Sequence, residues 1–292
     1  MIWTTSRFSI DLAQPRVMGI VNVTPDSFSD GGQFASTSAA LQHCEDLVAQ
    51  GADILDIGGE STRPNAQAVP LAEELARVVP VIRHAVTLGV PVSVDTYKPA
   101  VMQAALDLGA DIVNDIWALR WQGEDGLRGD EVVVRHGRCG VCLTHMHREP
   151  ATMQVAPMEG DVVPQVLSFL KLHAQHLHGL GVDLSRIVVD PGIGFGKTVE
   201  QNFRLLARQE ELLHLGYAVL AGWSRKSSLA AVTQTSLSQA AMLDRQDRMV
   251  PSVAAALLAV ERGARIVRVH DVKETVQALK VWRAMQGACS NE

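Results

Sequence analysis

Ile187-Val188-Val189-Asp190-Pro191-Gly192-Ile193-Gly194-Phe195-Gly196-Lys197 is a short β-branched run that ends on a carboxylate and breaks at once into proline and three glycines. A continuous apolar run of this length reads as a strand buried on both faces of a parallel sheet. The glycines after it mark a backbone that turns tightly where the strand ends. Two phosphate-loop readings fail on spacing. A Walker loop ending in Gly196-Lys197-Thr198 needs glycine at 191 and finds Pro191, and Gly192-Ile193-Gly194 lacks the later glycine of a dinucleotide fingerprint. One acid at one strand end can be structural, so the stretch gains its meaning from repetition elsewhere.

The same unit recurs along the chain as apolar strand, polar loop, helix and glycine. Gly51, Gly89, Gly109, Gly137, Gly181, Gly216 and Gly263 stand where helices should end in a left-handed residue. Gly51-Ala52-Asp53-Ile54, Gly109-Ala110-Asp111-Ile112 and Gly263-Ala264-Arg265-Ile266 are near copies of one junction. With the opening strand, these ends give eight strands, near 17–23, 53–58, 91–95, 111–115, 140–145, 187–190, 218–222 and 265–270. The segments between them have helical period, as in Val163, Val166, Leu167, Leu170 and Leu177, or Val272, Val276 and Leu279. Eight βα units predict an α/β protein forming a single (β/α)8 TIM barrel over residues 17–286, with an open doubly wound sheet as the alternative. Phe8, Ile10 and Leu12 alternate within residues 1–16 and predict a short N-terminal β-hairpin, and residues 287–292 read as a frayed tail.

Composition narrows the function classes. Of 292 residues 47% are hydrophobic, enough for a full core, and the net charge of −6 offers no broad basic face for nucleic acid. Residues 1–7 lack the apolar core of a signal segment, and the longest apolar run, 253–260, is too short to span a bilayer. Four cysteines are too few for a disulfide scaffold, which points to a reducing cytoplasm. Cys139 and Cys142 form a C-x-x-C whose members face opposite sides of a strand. His173, His176 and His178 read as a solvated helix face rather than a metal cluster.

Each strand ends on polar residues: Asn22; Asp56, then Glu60, Thr62 and Arg63; Asp95; Asn114 and Asp115; His145; Asp190; Arg225, Lys226 and Ser227; Arg268, His270 and Asp271. In a barrel these ends converge on one mouth, where barrel active sites lie. Eight polar ends would each be desolvated at a cost, which predicts a ligand site. Asp95, Asn114 and Asp190 suit the amino-oxo edge of a flat heterocycle, because Asp accepts two N–H bonds and Asn both gives and takes. Arg63, Lys226, Arg268 and His270 suit phosphate. Asn22 and the carboxylates leave room for Mg²⁺, which takes few protein ligands plus phosphate oxygens. The loops running from Asn22 to about Ser36 and from Gly58 to Pro70 are long enough to act as lids.

Across residues 15–285 these motifs closely resemble those of the dihydropteroate synthase family of pterin-binding barrels. They are Asn22-Val23-Thr24-Pro25-Asp26-Ser27-Phe28-Ser29-Asp30-Gly31-Gly32, Asp56-Ile57-Gly58-Gly59-Glu60-Ser61-Thr62-Arg63-Pro64, Ser93-Val94-Asp95-Thr96, Asn114-Asp115-Ile116, His145-Met146, the opening stretch from Asp190, Ser224-Arg225-Lys226-Ser227 and Arg268-Val269-His270-Asp271. The resemblance implies condensation of (7,8-dihydropterin-6-yl)methyl diphosphate with 4-aminobenzoate in folate biosynthesis, Mg²⁺ dependence, a homodimer and a sulfonamide target. It implies pterin binding by Asp95, Asn114, Ile116, Asp190, Phe195, Gly222, Lys226 and Arg268, the last by stacking. Diphosphate would meet Asn22, Thr62, Arg63, Arg268 and His270, with Asn22 also on the metal. Aminobenzoate would meet Phe28, Pro64 and Ser227, and Asp95, Lys226 and Arg63 would be catalytic. A folate-to-corrinoid methyltransferase and a non-catalytic pterin-binding homologue use the same barrel. The first would not need the diphosphate cations, and the second would have lost some of Asn22, Arg63, Lys226 and His270. The chain departs from the family pattern at Thr144, at His147-Arg148, at Pro251 and in the charged segment 122–131.

Overall fold

The structure, a computed structural model, describes residues 1–23, 32–61, 67–149, 152–153, 155–233 and 248–289, and for 32–36 and 289 the backbone alone. Strands β1 (Ile2–Thr4) and β2 (Ser9–Asp11) pair antiparallel, with Trp3 opposite Ile10. The barrel follows as β3 (Arg16–Asn22), α1 (Gly32–Ala49), β4 (Ile54–Gly58), α2 (Leu71–Ala85), β5 (Val92–Asp95), α3 (Pro99–Asp107), β6 (Ile112–Asp115), α4 (Gly129–His136) and β7 (Gly140–Thr144). It continues as α5 (Val162–Gly179), β8 (Ile187–Asp190), α6 (Val199–Ala207), β9 (Ala218–Ala221), α7 (Ser227–Thr233), α8 (Met249–Glu261), β10 (Ala264–Val269) and α9 (Val272–Cys289). Strands β3 to β10 are parallel neighbours in chain order, and β10 closes onto β3. All seven junction glycines have positive φ, between +78° and +99°.

Strand alternation builds two cores. Val21, Ile57, Val94, Val113, Leu143, Val189, Val219 and Val267 face outward into the layer shared with the helices. Met18, Ile54, Ile112, Cys142, Val188, Leu220 and Ile266 face inward and pack with Trp3, Ile10 and Leu12 of the hairpin. The hairpin is thus a plug for the N-terminal end of the barrel. Arg7 holds it there, donating from Nε and Nη2 to the buried Asp111 carboxylate at 3.0 and 2.6 Å, while Trp3 donates from Nε1 to Arg186 O. Cys139 and Cys142 lie in different cores, as the C-x-x-C spacing requires.

Two boundaries differ from the sequence reading, and one departure from the family pattern finds its place. The lid-length segment after β3 is shorter than expected, because α1 begins at Gly32 and residues 32–36 are already helical. The last helix runs to Cys289, past the bound of 286 read from the sequence. Pro251 falls in the first turn of α8, where a missing N–H costs no intrahelical bond.

Candidate active site

The interior changes character within one pleat. Two residues beyond the apolar inward layer, the same strands present Ile20, Asp56, Asn114, Thr144, Asp190 and Arg268, and β5 adds Asp95. A small cavity, open to solvent, is lined by Asp95, Asn114, Ile116, Asp190, Phe195, Gly222, Lys226 and Arg268 together with Ile20, Thr144, Ile193 and Ser224. Every residue that the sequence reading assigned to the pterin edge or wall therefore lies on one cavity.

Its floor is a charge network. Arg268 donates from Nε to Asp56 Oδ2 and from Nη2 to Asp95 Oδ2, both at 2.5 Å. Asn114 Nδ2 reaches the same Asp56 oxygen at 3.2 Å, while the buried Asp56 Oδ1 has no hydrogen-bond partner among the described residues. Burial alone would lower the Arg268 pKa, but Asp56 and Asp95 more than offset it and hold the guanidinium charged. Burial pushes the Asp95 carboxyl up to about 7, with Arg268 pulling it back and Asp56 adding to the rise. The Asp190 carboxyl is also raised by burial. Opposing that rise are the Gly192 N–H, which donates to Oδ1 at 2.7 Å, and the charges of Lys226, Lys197 and Arg268. Lys226 Nζ sits 4.3 Å from the centre of the Phe195 ring, a cation–π distance.

The turn after β8 must be glycine-rich for steric reasons. A Cβ on Gly192 (φ +69°) would stand 1.8 Å from the His145 carbonyl oxygen, and one on Gly196 (φ +70°) would stand 2.6 Å from His147 Cβ. This close approach of the β7 and β8 loops places Ile193 and Phe195 on the cavity wall. Beyond β10, His270 receives a hydrogen bond on its ring from Ser224 Oγ, or gives one to it, at 2.9 Å, and its backbone N–H donates to the same oxygen. Asn22 ends β3 opposite Gly58, half-buried at the rim, and Ser227 opens α7, exposed.

Some polar strand ends do not reach the mouth. Pleating gives β7's inward slot to Thr144, so His145 turns outward, where it packs edge-on against Phe169 at 4.8 Å and contacts Lys197. Burial and the Lys197 charge depress its pKa to about 2, which keeps the ring neutral. Asp115 likewise points away from the cavity. Its oxygens accept the Trp117 and Leu119 N–H groups and hold a turn in which Ala118 and Leu119 both have positive φ. Asp271 is taken up by Arg225 at 2.6 Å. Of the three histidines on α5, His176 meets Asp130 at 2.9 Å, whereas His173 is not the solvated residue expected. It is half-buried against Phe169 at 4.3 Å, and burial lowers its pKa to about 4. Thr144, Ser224, Ile20 and Ile193 line the cavity without having been assigned a site role from the sequence, although counting by twos from Cys142 and Met18 reaches the first and third. Phe28, Thr62, Arg63 and Pro64 lie outside the described residues.

A parallel barrel with a carboxylate–carboxamide ring at its C-terminal mouth defines a heterocycle-binding enzyme class, and residues 18–270 match the family model described as pterin binding enzyme. Over 287 residues the chain is 46% identical to dihydropteroate synthase of Neisseria meningitidis serogroup C, covering 97% of each chain. It is 42% identical to the Escherichia coli K12 enzyme of the same name over 285 residues, covering 97% of this chain and 96% of that one. Among solved structures, Burkholderia cenocepacia dihydropteroate synthase complexed with 7,8-dihydropteroate superposes with a TM-score of 0.86 at 47% identity, over 100% of this chain and 98% of that one. The Xanthomonas albilineans enzyme with 4-aminobenzoic acid gives 0.85 at 48% identity, over 96% and 95%. The chain belongs to the dihydropteroate synthases, transferases of the pterin-binding barrel family.

Proposed function

We propose that the chain joins (7,8-dihydropterin-6-yl)methyl diphosphate to 4-aminobenzoate, giving 7,8-dihydropteroate and diphosphate. The observation that carries this reading is the cavity itself: Asp95, Asn114 and Asp190 around its polar edge, apolar Ile116 and Phe195 on its wall, and Lys226 and Arg268 as cations within it. The Asp190 carboxylate accepts the amino and ring N–H groups of the pterin, while Asn114 and Lys226 serve its oxo and ring nitrogens. Asp56 fixes Arg268, so the guanidinium is presented at a defined height, and Gly222 leaves room for the ring above Asp190.

The C–O bond between the pterin methylene and diphosphate breaks first, and its electron pair leaves with the diphosphate. Arg268 and His270, with Asn22 and the sequence-assigned Thr62 and Arg63, stabilise that developing charge. The methylene is left cationic and conjugated with the ring, where Asp95 offsets its charge. The aryl amine's lone pair then forms the new C–N bond to the methylene, and the proton it loses passes to the released diphosphate. Its ring would meet Ser227 and the sequence-assigned Phe28 and Pro64, and its carboxylate would face the first N–H groups of α7.

The donor set suits Mg²⁺ bound through diphosphate. Asn22, half-buried at the rim, would offer its side-chain oxygen to the ion, in keeping with a metal that takes few protein ligands. When bound, the ion neutralises charge on the leaving group.

Three buried thiols, Cys44, Cys139 and Cys142, are unpaired, which supports a reducing cytoplasm. Among the described residues no helix is long and apolar enough to cross a membrane. Val250 and Leu258 on α8 and Val281 and Met285 on α9 are exposed apolar residues at helical spacing, which supports a homodimer through these helices. Diphosphate release assayed with and without 4-aminobenzoate tests the function. Release that requires the amine is expected, and amine-independent release or none would overturn the reading.

A further inference from the structure

Lys197 closes the opening stretch and takes no part in the reaction above. It is 2% exposed and does not line the cavity. Its Nζ donates to Gly192 O at 2.8 Å and Phe195 O at 3.1 Å, and it lies 2.9 Å from His145 Nδ1. Among the described residues it has no carboxylate within ion-pair distance. A buried ammonium without a counter-ion is expensive, and three well-made polar contacts only partly offset that cost.

Gly192 links this ammonium to the cavity. Its carbonyl accepts from Lys197 Nζ, and its N–H donates to Asp190 Oδ1. No larger residue fits there, since a Cβ would collide with the His145 carbonyl. Phe195, whose carbonyl Lys197 also holds, carries the ring under Lys226. One amine therefore ties together the residue that presents the Asp190 carboxylate and the residue that forms the aromatic wall.

We propose that Lys197 is a positioning residue for the pterin pocket, fixing the Asp190–Lys197 loop from behind and holding the Asp190 carboxylate ionised to receive a pterin N–H edge. This rests on the pterin-binding reading. The charged and titratable groups around Nζ are His145 and His147 from the end of β7, Asp190 from β8 and Lys226 from the loop after β9. Burial lowers the Lys197 pKa to about 7, with Asp190 opposing that shift and Lys226 adding to it, so the amine is charged on the acid side of neutrality. On that side Asp190, raised by burial, is at risk of protonation. Loss of the Lys197 charge would raise the Asp190 carboxyl further, and pterin affinity would then fail at a higher pH.

The test is quenching of 6-hydroxymethylpterin fluorescence by the full chain between pH 4.5 and 8, for wild type, Lys197→Met, Lys197→Gln and Lys197→Arg. In Lys197→Met and Lys197→Gln the acid limb of pterin affinity should move up by about one pH unit, since loss of a nearby opposite charge shifts a buried carboxyl by that order. Lys197→Arg, which keeps the charge, should leave the limb in place. If Lys197→Met does not fold, Lys197→Gln against Lys197→Arg carries the comparison. An unmoved limb in both neutral variants, even with affinity lowered equally at every pH, overturns this inference alone. No saturable quenching by wild type would remove the pterin reading and this inference with it.

Discussion

Met18, Ile54, Ile112, Cys142, Val188, Leu220 and Ile266 fill the barrel interior near the hairpin, and two residues further along the same strands stand Ile20, Asp56, Asn114, Thr144, Asp190, Gly222 and Arg268. Both sets are held by identical backbone geometry, with each inward position one pleat above the last. They differ in solvent and in partners. The lower set is covered by Trp3, Ile10 and Leu12 and gains stability from excluded water. The upper set is mostly polar and, joined by Asp95 of β5, it holds an acceptor without a partner among the described residues at Asp56 Oδ1 and acids whose pKa values are raised at Asp95 and Asp190. A division of labour follows, with one layer keeping the ring closed and the next accepting an energetic cost so that a ligand can complete it.

Substitutions in the two layers should therefore separate activity from stability. The largest effect is expected for Lys226→Ala, which should cut dihydropteroate formation by roughly 10²–10³-fold while the melting temperature stays near wild type; near-normal turnover would remove Lys226 from the site. Leu220→Ala, in the lower layer, should cost about 2–5 kcal/mol in urea unfolding and leave kcat of the folded enzyme unchanged. A large loss of kcat in that variant would show that the layers are not independent. Asp190→Asn should weaken pterin binding by about 1–3 kcal/mol, as expected for a buried contact whose partner is left mismatched, and calorimetry that finds equal affinity would rule out the edge contact.

The effect that is smallest near neutral pH belongs to neither layer. The folded-state pKa of His145 is about 2, against an ordinary value of 6.5. As pH falls below 6.5 the unfolded chain gains a proton that the folded chain refuses, so this group costs no stability above that pH and progressively more below it. His145→Gln should flatten the acid side of the stability curve between about pH 4 and 6.5 by up to about 1.4 kcal/mol per pH unit. An unchanged slope would mean that the ring is already charged in the folded protein.

Much of this was legible from residue order. The seven glycines announced the helix ends because a left-handed residue is cheap only without a Cβ, and each has the expected positive φ. The strand that opened the reading, Ile187–Asp190, has the bounds its sequence suggests, because β-branched run, acid and proline leave little choice. His145 and Asp115 were less legible, since a polar residue at a strand end reads alike whether it points in or out. Arg268 was assigned to stacking and diphosphate, and its pairing with Asp56 and Asp95 joins residues 212 and 173 positions apart.

Sequence by itself determined the repeating unit, the number of strands, the closure they imply and the chemical character of the mouth, because periodicity and capping are local and each repeat carries its own copy of the signal. Only the tertiary structure decided which polar ends share the cavity, that Thr144 rather than His145 fills the β7 position, and that Lys197 lies behind the wall. Those outcomes depend on pleat phase and on approaches between loops distant in the chain, such as the His145 carbonyl against Gly192, which no short stretch of residues encodes.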